Sequence, residues 1–366
     1  MQFGMVVSAY AWSAGISGLV MAGFADRYDR RKLLLFFYSG FVIGTVLCEM
    51  ADSYRSLLVA RIFTGLFAGV IGSLIYAIVA DVFTHEVRGR VMGFLQMAFA
   101  GASVLGLPSG LYFANRLGWQ SPFLILGVMG IALTLVMALL VKPVDVHLQI
   151  KSEGSPFQHL KRTILNPDYV RAFATTVLVA TAGFMMMPFA SAFTVGNNGI
   201  ALNDLPIMYM SAGIAAMATA PLLGKLSDSV GKYTVFCICS ALMMISVPIY
   251  CNLDIISLGL AIFFSVVMFT TYAGRMISSS ALFAAIPDPA DRGAFMTINS
   301  SVNMVSGAIA STIAGSIVYQ TANGRIENYD ILGYVVTGTV LVTVVMMYGI
   351  DRVVSKKVMM KVKVPG

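Results

Sequence analysis

Apolar residues run along this chain in long blocks separated by short polar stretches. The pattern has neither the alternation of a half-buried strand nor the narrow stripe of a surface helix. A bilayer core about 30 Å thick takes about 20 helical residues to cross. Windows of that length predict spans over Phe3–Phe24, Leu33–Ala51, Ser56–Phe83, Val91–Ala114 and Ser121–Val141. A polar stretch from Lys142 to Tyr169 interrupts the series. Further spans are predicted over Val170–Val195, Leu205–Gly224, Tyr233–Cys251, Ile256–Phe283, Gly293–Val318 and Ile331–Ile350. The expectation is an all-α membrane protein of eleven spans, five before the polar stretch and six after it. Each block is apolar around most of its circumference, as a lipid-embedded helix is.

Composition narrows the class. The chain is 58% hydrophobic and 11% charged, where soluble domains carry about 25% charged residues. A soluble enzyme or a nucleic-acid binder is thereby excluded. The net charge of +7 acquires its meaning from position. Arg27, Arg30, Arg31, Lys32, Arg88, Arg90, the basic residues of the central stretch with Arg171 beside it, Lys225, Lys232, Arg292 and the five of the C-terminal tail fall on one side. They make nineteen of the 24 Lys and Arg. Arg55, Arg116 and Arg325 fall on the other, and Arg61 and Arg275 lie within spans. Short basic loops mark the cytoplasmic side, so a multi-pass protein of the cytoplasmic (inner) membrane is expected, with its C-terminus inside and Met1 outside. Phe3–Phe24 has its basic cluster after the apolar run, opposite to a secretory signal, and reads as a true span.

The polar residues exclude some chemistry. His85, His147 and His159 lie outside every span, which argues against haem ligation, a metal site in the bilayer or a His-assisted protease. Cys48, Cys237, Cys239 and Cys251 lie in apolar helices and read as buried thiols. No cofactor and no metal is expected.

The two halves of the chain repeat. Ala22-Gly23-Phe24-Ala25-Asp26-Arg27-Tyr28-Asp29-Arg30-Arg31 closes the first span, and Gly224-Lys225-Leu226-Ser227-Asp228-Ser229-Val230-Gly231-Lys232 closes the seventh. Both place a small residue four before an aspartate and a basic residue four after it, at an offset of 202. Arg88-Gly89 and Arg292-Gly293 match at an offset of 204. Two parallel halves follow: a bundle over 1–141, a linker over 142–169, a second bundle over 170–350 and a basic tail over 351–366. Two spans precede Asp228 but only one precedes Asp26, so the repeat predicts a further helix ahead of Met1.

The Asp26 and Asp228 segments resemble the loop signature G-x-L-a-D-r-x-G-r-k of the major facilitator superfamily. Gly224, Leu226, Asp228, Gly231 and Lys232 match it; in the first copy Ala22 and Asp29 stand in place of the two glycines. Leu57 leading to Arg61 and Gly65 is similar to that superfamily's l-x-x-x-R-x-x-q-G motif, with Thr64 replacing the glutamine. Gly106-Leu107-Pro108-Ser109-Gly110 is similar to the glycine-proline motif of its antiporters, interrupted by Leu107. Gly118-Trp119, Gly183-Phe184-Met185 and Pro188-Phe189 add a likeness to proton-coupled sugar and drug efflux permeases, the arabinose-efflux-permease-like group.

The resemblance implies a two-bundle transporter that rocks about a central substrate site. In that family the loop aspartate grips a helix of the opposite half and holds one access state. The implied latch comprises Asp26, Arg27, Arg30, Arg31, Gly224, Asp228, Gly231 and Lys232, with Asp81 near enough in the topology to pair with Arg30 or Arg31. Ordinary boundary charges are the plainer alternative. The resemblance associates Arg61 with proton coupling; snorkelling to the surface is its alternative. An intramembrane cation is a functional candidate by default, so Arg275, with Tyr272 on its face, is a substrate contact or a tie between helices. Asn299 and Asn303 share a helix face, and Gln96 and Tyr10 add polar groups in neighbouring spans. Gly106, Pro108 and Gly110 read as close helix contact and a bend.

The expected function is secondary active transport, with proton-driven efflux of a small sugar or drug-like molecule by a monomer, and no enzymatic reaction. A uniporter or symporter of the same fold and a non-transporting receptor or scaffold stand as alternatives.

Overall fold

A computed structural model of the chain describes residues 2–22, 24, 27–84, 86–145, 148, 156–321 and 323–363. Those residues form helices α1 (Gln2–Ala22), α2 (Arg30–Glu49), α3 (Tyr54–Val82), α4 (Arg88–Leu117), α5 (Ser121–Leu140), α6 (Pro156–Leu165), α7 (Pro167–Phe184), α8 (Met187–Gly196), α9 (Leu205–Val230), α10 (Lys232–Cys251), α11 (Leu258–Phe283), α12 (Arg292–Ile317) and α13 (Tyr329–Lys363). A two-stranded antiparallel hairpin, β1 (Tyr319–Gln320) and β2 (Ile326–Glu327), precedes α13. Among the described residues, eight segments are long and apolar enough to cross a membrane: α2, α3, α5, α7 with α8, α9 with the turn before it, α10, α11 and most of α13. The helices α1, α4 and α12 occupy the other predicted windows with 21, 30 and 26 residues.

Three boundaries differ from the sequence expectation. Val170–Val195 is not one helix; a turn at Met185 and Met186 separates α7 from α8. Pro188 stands in the first turn of α8, where a residue without an N–H is tolerated but cannot continue the helix before it. The central polar stretch contains α6. And α13 continues through the tail as unbroken helix to Lys363.

The chain divides into two units. The first comprises Met1–Thr84, Leu107–Val170 and Pro287–Met304. Its core is Leu33, Leu34 and Phe37 of α2 against Val70 and Leu74 of α3, with Met21 and Met137 alongside. The close approach of α1 and α3 depends on glycine. A Cβ on Gly69 would overlap the Ala14 carbonyl, and one on Gly65 would meet the Tyr10 carbonyl at 2.5 Å. Without side chains there, the backbones touch and Ser17 bonds the Leu66 carbonyl. The start of α12 joins this unit through Thr297, whose hydroxyl donates to Ser73 at 3.1 Å.

The second unit comprises His85–Gly106, Arg171–Ile286 and Val305–Gly366. Its core joins Ala182, Met185 and Phe193 to Met243, Val247 and Tyr250 of α10, and to Leu332, Val336 and Val340 of α13. The Phe193 and Tyr329 rings stack at 4.0 Å. A polar cap closes one end of that core. Asn197 exchanges two bonds with Ile326, and Asn198 donates to the Leu253 and Asp254 carbonyls.

Candidate functional site

In the first unit the candidate latch residues converge where α2 begins. Asp29 caps α2, accepting the Arg31 amide at 2.8 Å and the Val144 amide at 3.0 Å, while the Arg30 amide donates to the Val144 carbonyl. The segment leaving α5 is thus paired to the first turn of α2. Arg30 turns inward. Its Nε donates to Asp81 Oδ2 at 3.2 Å, with 0% of the Arg30 side chain and 4% of the Asp81 side chain exposed. The other Asp81 oxygen accepts Arg292 at the start of α12. A buried carboxylate is stable only with such partners, so Asp81 holds the ends of three helices by one charge. The turn before α12 is anchored twice more: Tyr169 donates to Asp291 at 3.1 Å and accepts the Asp288 amide at 3.3 Å. Arg27 is exposed, Arg31 bonds the Ala138 carbonyl, and Asp26 lies outside the described residues.

In the second unit Asp228 lies in the last turn of α9 and caps another helix. It accepts the Gly89 amide at 2.9 Å and the Arg90 amide at 2.7 Å, two of the orphan donors that open α4. Lys232 supplies a third bond at 3.1 Å. An anion suits the positive end of the α4 dipole. Small residues permit the approach: a Cβ on Gly224 would stand 2.5 Å from the Gly89 carbonyl oxygen, and one on Gly89 2.6 Å from Asp228 Oδ1. Gly231 has φ +100 and turns the chain from α9 into α10. Its repeat partner, Asp29, has φ −54 and caps its helix by side chain. The departure of the first copy from the glycine of the signature is therefore a different turn.

Of the intramembrane arginines, Arg61 lies 4.4 Å over the Tyr10 ring, which joins two residues that the sequence nominated separately. Arg275 is 1% exposed. It donates to Thr343 at 2.8 Å, approaches the Met243 sulfur at 3.1 Å and lies over Phe236 at 5.1 Å. These contacts join α10, α11 and α13. Tyr272 packs on Gly183, where a Cβ would lie 2.6 Å from the ring. Asn299 and Asn303 are half-buried in α12. The side chains of Gln96 and Pro108 lie outside those described. Among the described residues nothing comes within 4 Å of a Cβ at Gly106 or Gly110. Close helix contacts are made at Gly65, Gly69, Gly89 and Gly224.

Sequence reasoning missed Arg292 as a partner of Asp81, although its place in the 204-residue repeat was visible. It also missed a polar aromatic face in the second unit: Ser191 and Tyr209 bond at 2.8 Å, with the Tyr209 ring 6.3 Å from Phe269. Rings flanked by hydroxyls present both stacking and hydrogen-bonding surface.

The profile of the Major Facilitator Superfamily matches residues 1–311. A probable sugar efflux transporter of Helicobacter pylori (strain P12) is 25% identical over 61% of the chain, a match that spans 56% of that relative's own length. The chain thus spans little more than half of that curated relative. An uncharacterized MFS-type transporter, YceJ, of Bacillus subtilis (strain 168) is 24% identical over 93% of the chain and 86% of its own. Among solved structures, the human organic anion transporter MFSD10 (TETRAN) superposes with a TM-score of 0.77 at 14% identity, covering 94% of this chain and 83% of that one.

Proposed function

The chain belongs to the major facilitator superfamily and is a multi-pass membrane transporter; from that premise we propose that it exports a small sugar or drug-like molecule in exchange for protons. Two helical halves, of five spans over 1–141 and six over 170–350, alternate the access of a shared substrate site. The linker over 142–169 and the basic tail lie in the cytoplasm, and the protein works as a monomer in the inner membrane.

The observation that carries this reading is the doubled charge cluster. Arg30, Asp81 and Arg292 hold the start of α12, and Asp228 with Lys232 holds the start of α4. Arg30 and Lys232 are repeat-related cations and the starts of α12 and α4 are repeat-related helix ends, joined through Asp81 in the first unit and Asp228 in the second. A rocking transporter needs bonds strong enough to hold one state and few enough to break together. Efflux of a sugar is favoured by what the Helicobacter relative is named for, and by the hydroxyls and rings of Ser191, Tyr209 and Phe269. Arg61 over Tyr10 is the group assigned to coupling.

Everted vesicles test the reading. Uptake of a radiolabelled sugar or a fluorescent drug that collapses on adding a protonophore is the expected result. Uptake indifferent to the proton gradient overturns the antiport and leaves a uniporter.

A further inference from the structure

Helix α13 does not stop where its apolar stretch stops. It runs unbroken from Tyr329 to Lys363, about 50 Å at 1.5 Å per residue, while a bilayer core is about 30 Å thick. The turns after Ile350 carry Arg352, Lys356, Lys357, Lys361 and Lys363 against a single acid, Asp351. Val336, Val340, Met347 and Val354, each nearly fully buried, recur at helical spacing and mark the face turned into the unit. Arg352 and Lys356, four apart and exposed, occupy the opposite face. Lys363 falls in the same register seven residues further on.

Arg352 and Lys356 are cations without a carboxylate partner among the described residues. Arg352 stacks its guanidinium 4.6 Å from the centre of the Tyr348 ring. Tyr348 is 42% exposed, as tyrosines are at a membrane boundary. Lys357, on the flank, donates to the Ile286 carbonyl at 2.8 Å. The extension is therefore fastened as a continuation of the span.

We infer that this face of α13 binds the headgroups of anionic phospholipids in the leaflet the helix leaves. Depth supports the choice of occupant. Arg352, about 3 Å past Ile350 along the axis, falls within a headgroup layer about 5–8 Å thick, and Lys356, about 9 Å past it, stands at the layer's outer edge. Charge is complementary, and a guanidinium suits phosphate oxygens in geometry as well as sign. The surface also adjoins the charge cluster of the second unit: Asp351 precedes Arg352 and lies within electrostatic reach of Lys232, the partner of Asp228.

The test uses the full chain in neutral detergent, with unfolding followed by fluorescent labelling of its buried thiols, Cys48, Cys239 and Cys251. Phosphatidylglycerol is titrated against phosphatidylcholine. Phosphatidylglycerol is expected to raise the unfolding temperature above that in phosphatidylcholine, and added NaCl to shrink the increment. R352Q and K356Q should each raise the half-effective phosphatidylglycerol fraction about fivefold. R352Q/K356Q/K363Q should abolish the increment while keeping the phosphatidylcholine value. Equal responses of the parent and triple variant overturn the inference, as does an equal shift from inorganic phosphate, which would make the site one for free anions. Should the triple variant not fold, the parent alone decides: an increment that survives high salt overturns the inference.

Discussion

Asp228 accepts the amide of Gly89 at 2.9 Å, a bond between residues 139 apart in sequence that fastens the last turn of α9 to the first turn of α4. It is a carboxylate on two helix-terminal amides, and bonds to a charged group contribute about 1.5–3 kcal/mol. D228N is expected to lower the unfolding temperature and reduce transport at least tenfold. G89A should do the same from the other side, because its Cβ would enter the space of Asp228 Oδ1. Thiol-labelling melts and vesicle uptake measure both. A G89A protein with parental stability and uptake would show that the contact is idle.

Asp81 serves two arginines, so its removal and theirs differ. D81N removes the carboxylate that Arg30 and Arg292 share and is expected to cost about 3–5 kcal/mol. R292Q leaves the Arg30–Asp81 pair intact and should cost less. Denaturation of the two variants in one detergent ranks them; a costlier R292Q would refute the shared-carboxylate account.

Gly69 and Gly72 lie one turn apart on α3 with opposite surroundings. An alanine at 69 would collide with the Ala14 backbone, whereas one at 72 meets open space among the described residues. G69A should separate α1 from α3 and cost several times what G72A costs. G72A itself should be neutral or gain up to about 1 kcal/mol of helix propensity. Folded yield by size-exclusion chromatography gives the comparison.

Arg275 tests structure against substrate contact. T343V removes a neutral partner of the guanidinium and should cost about 1 kcal/mol with the KM for transport unchanged. R275K should cost more, since an ammonium cannot reach both Thr343 and Met243 in the planar geometry of the parent. A raised KM at unchanged stability would place the guanidinium on the substrate.

At the Arg61–Tyr10 contact, Y10F should be silent. Y10L is expected to remove about 0.5–1 kcal/mol of cation–π attraction. R61Q should leave vesicle uptake that no longer responds to a protonophore. Uptake by R61Q that still collapses would remove Arg61 from the coupling.

Along the chain, apolar blocks and their basic boundaries determined where helices run and which segments repeat, because a residue facing lipid is apolar whatever its neighbour is. The 202-residue offset that aligns Arg30 with Lys232 is of that kind. It did not reveal that Gly231 takes a positive φ while Asp29 caps a helix, since the turn depends on what the departing α5 segment offers. Nor did it distinguish the two faces of a span. In lipid the inward and outward faces are both apolar, so Arg275 could be nominated as unusual but not assigned to Thr343. Only tertiary structure joined Asp81 to Arg292, 211 residues apart, and Asp228 to α4. Those pairings are set by where helix ends meet in space, and a buried charge accepts whichever partner the packing brings within reach.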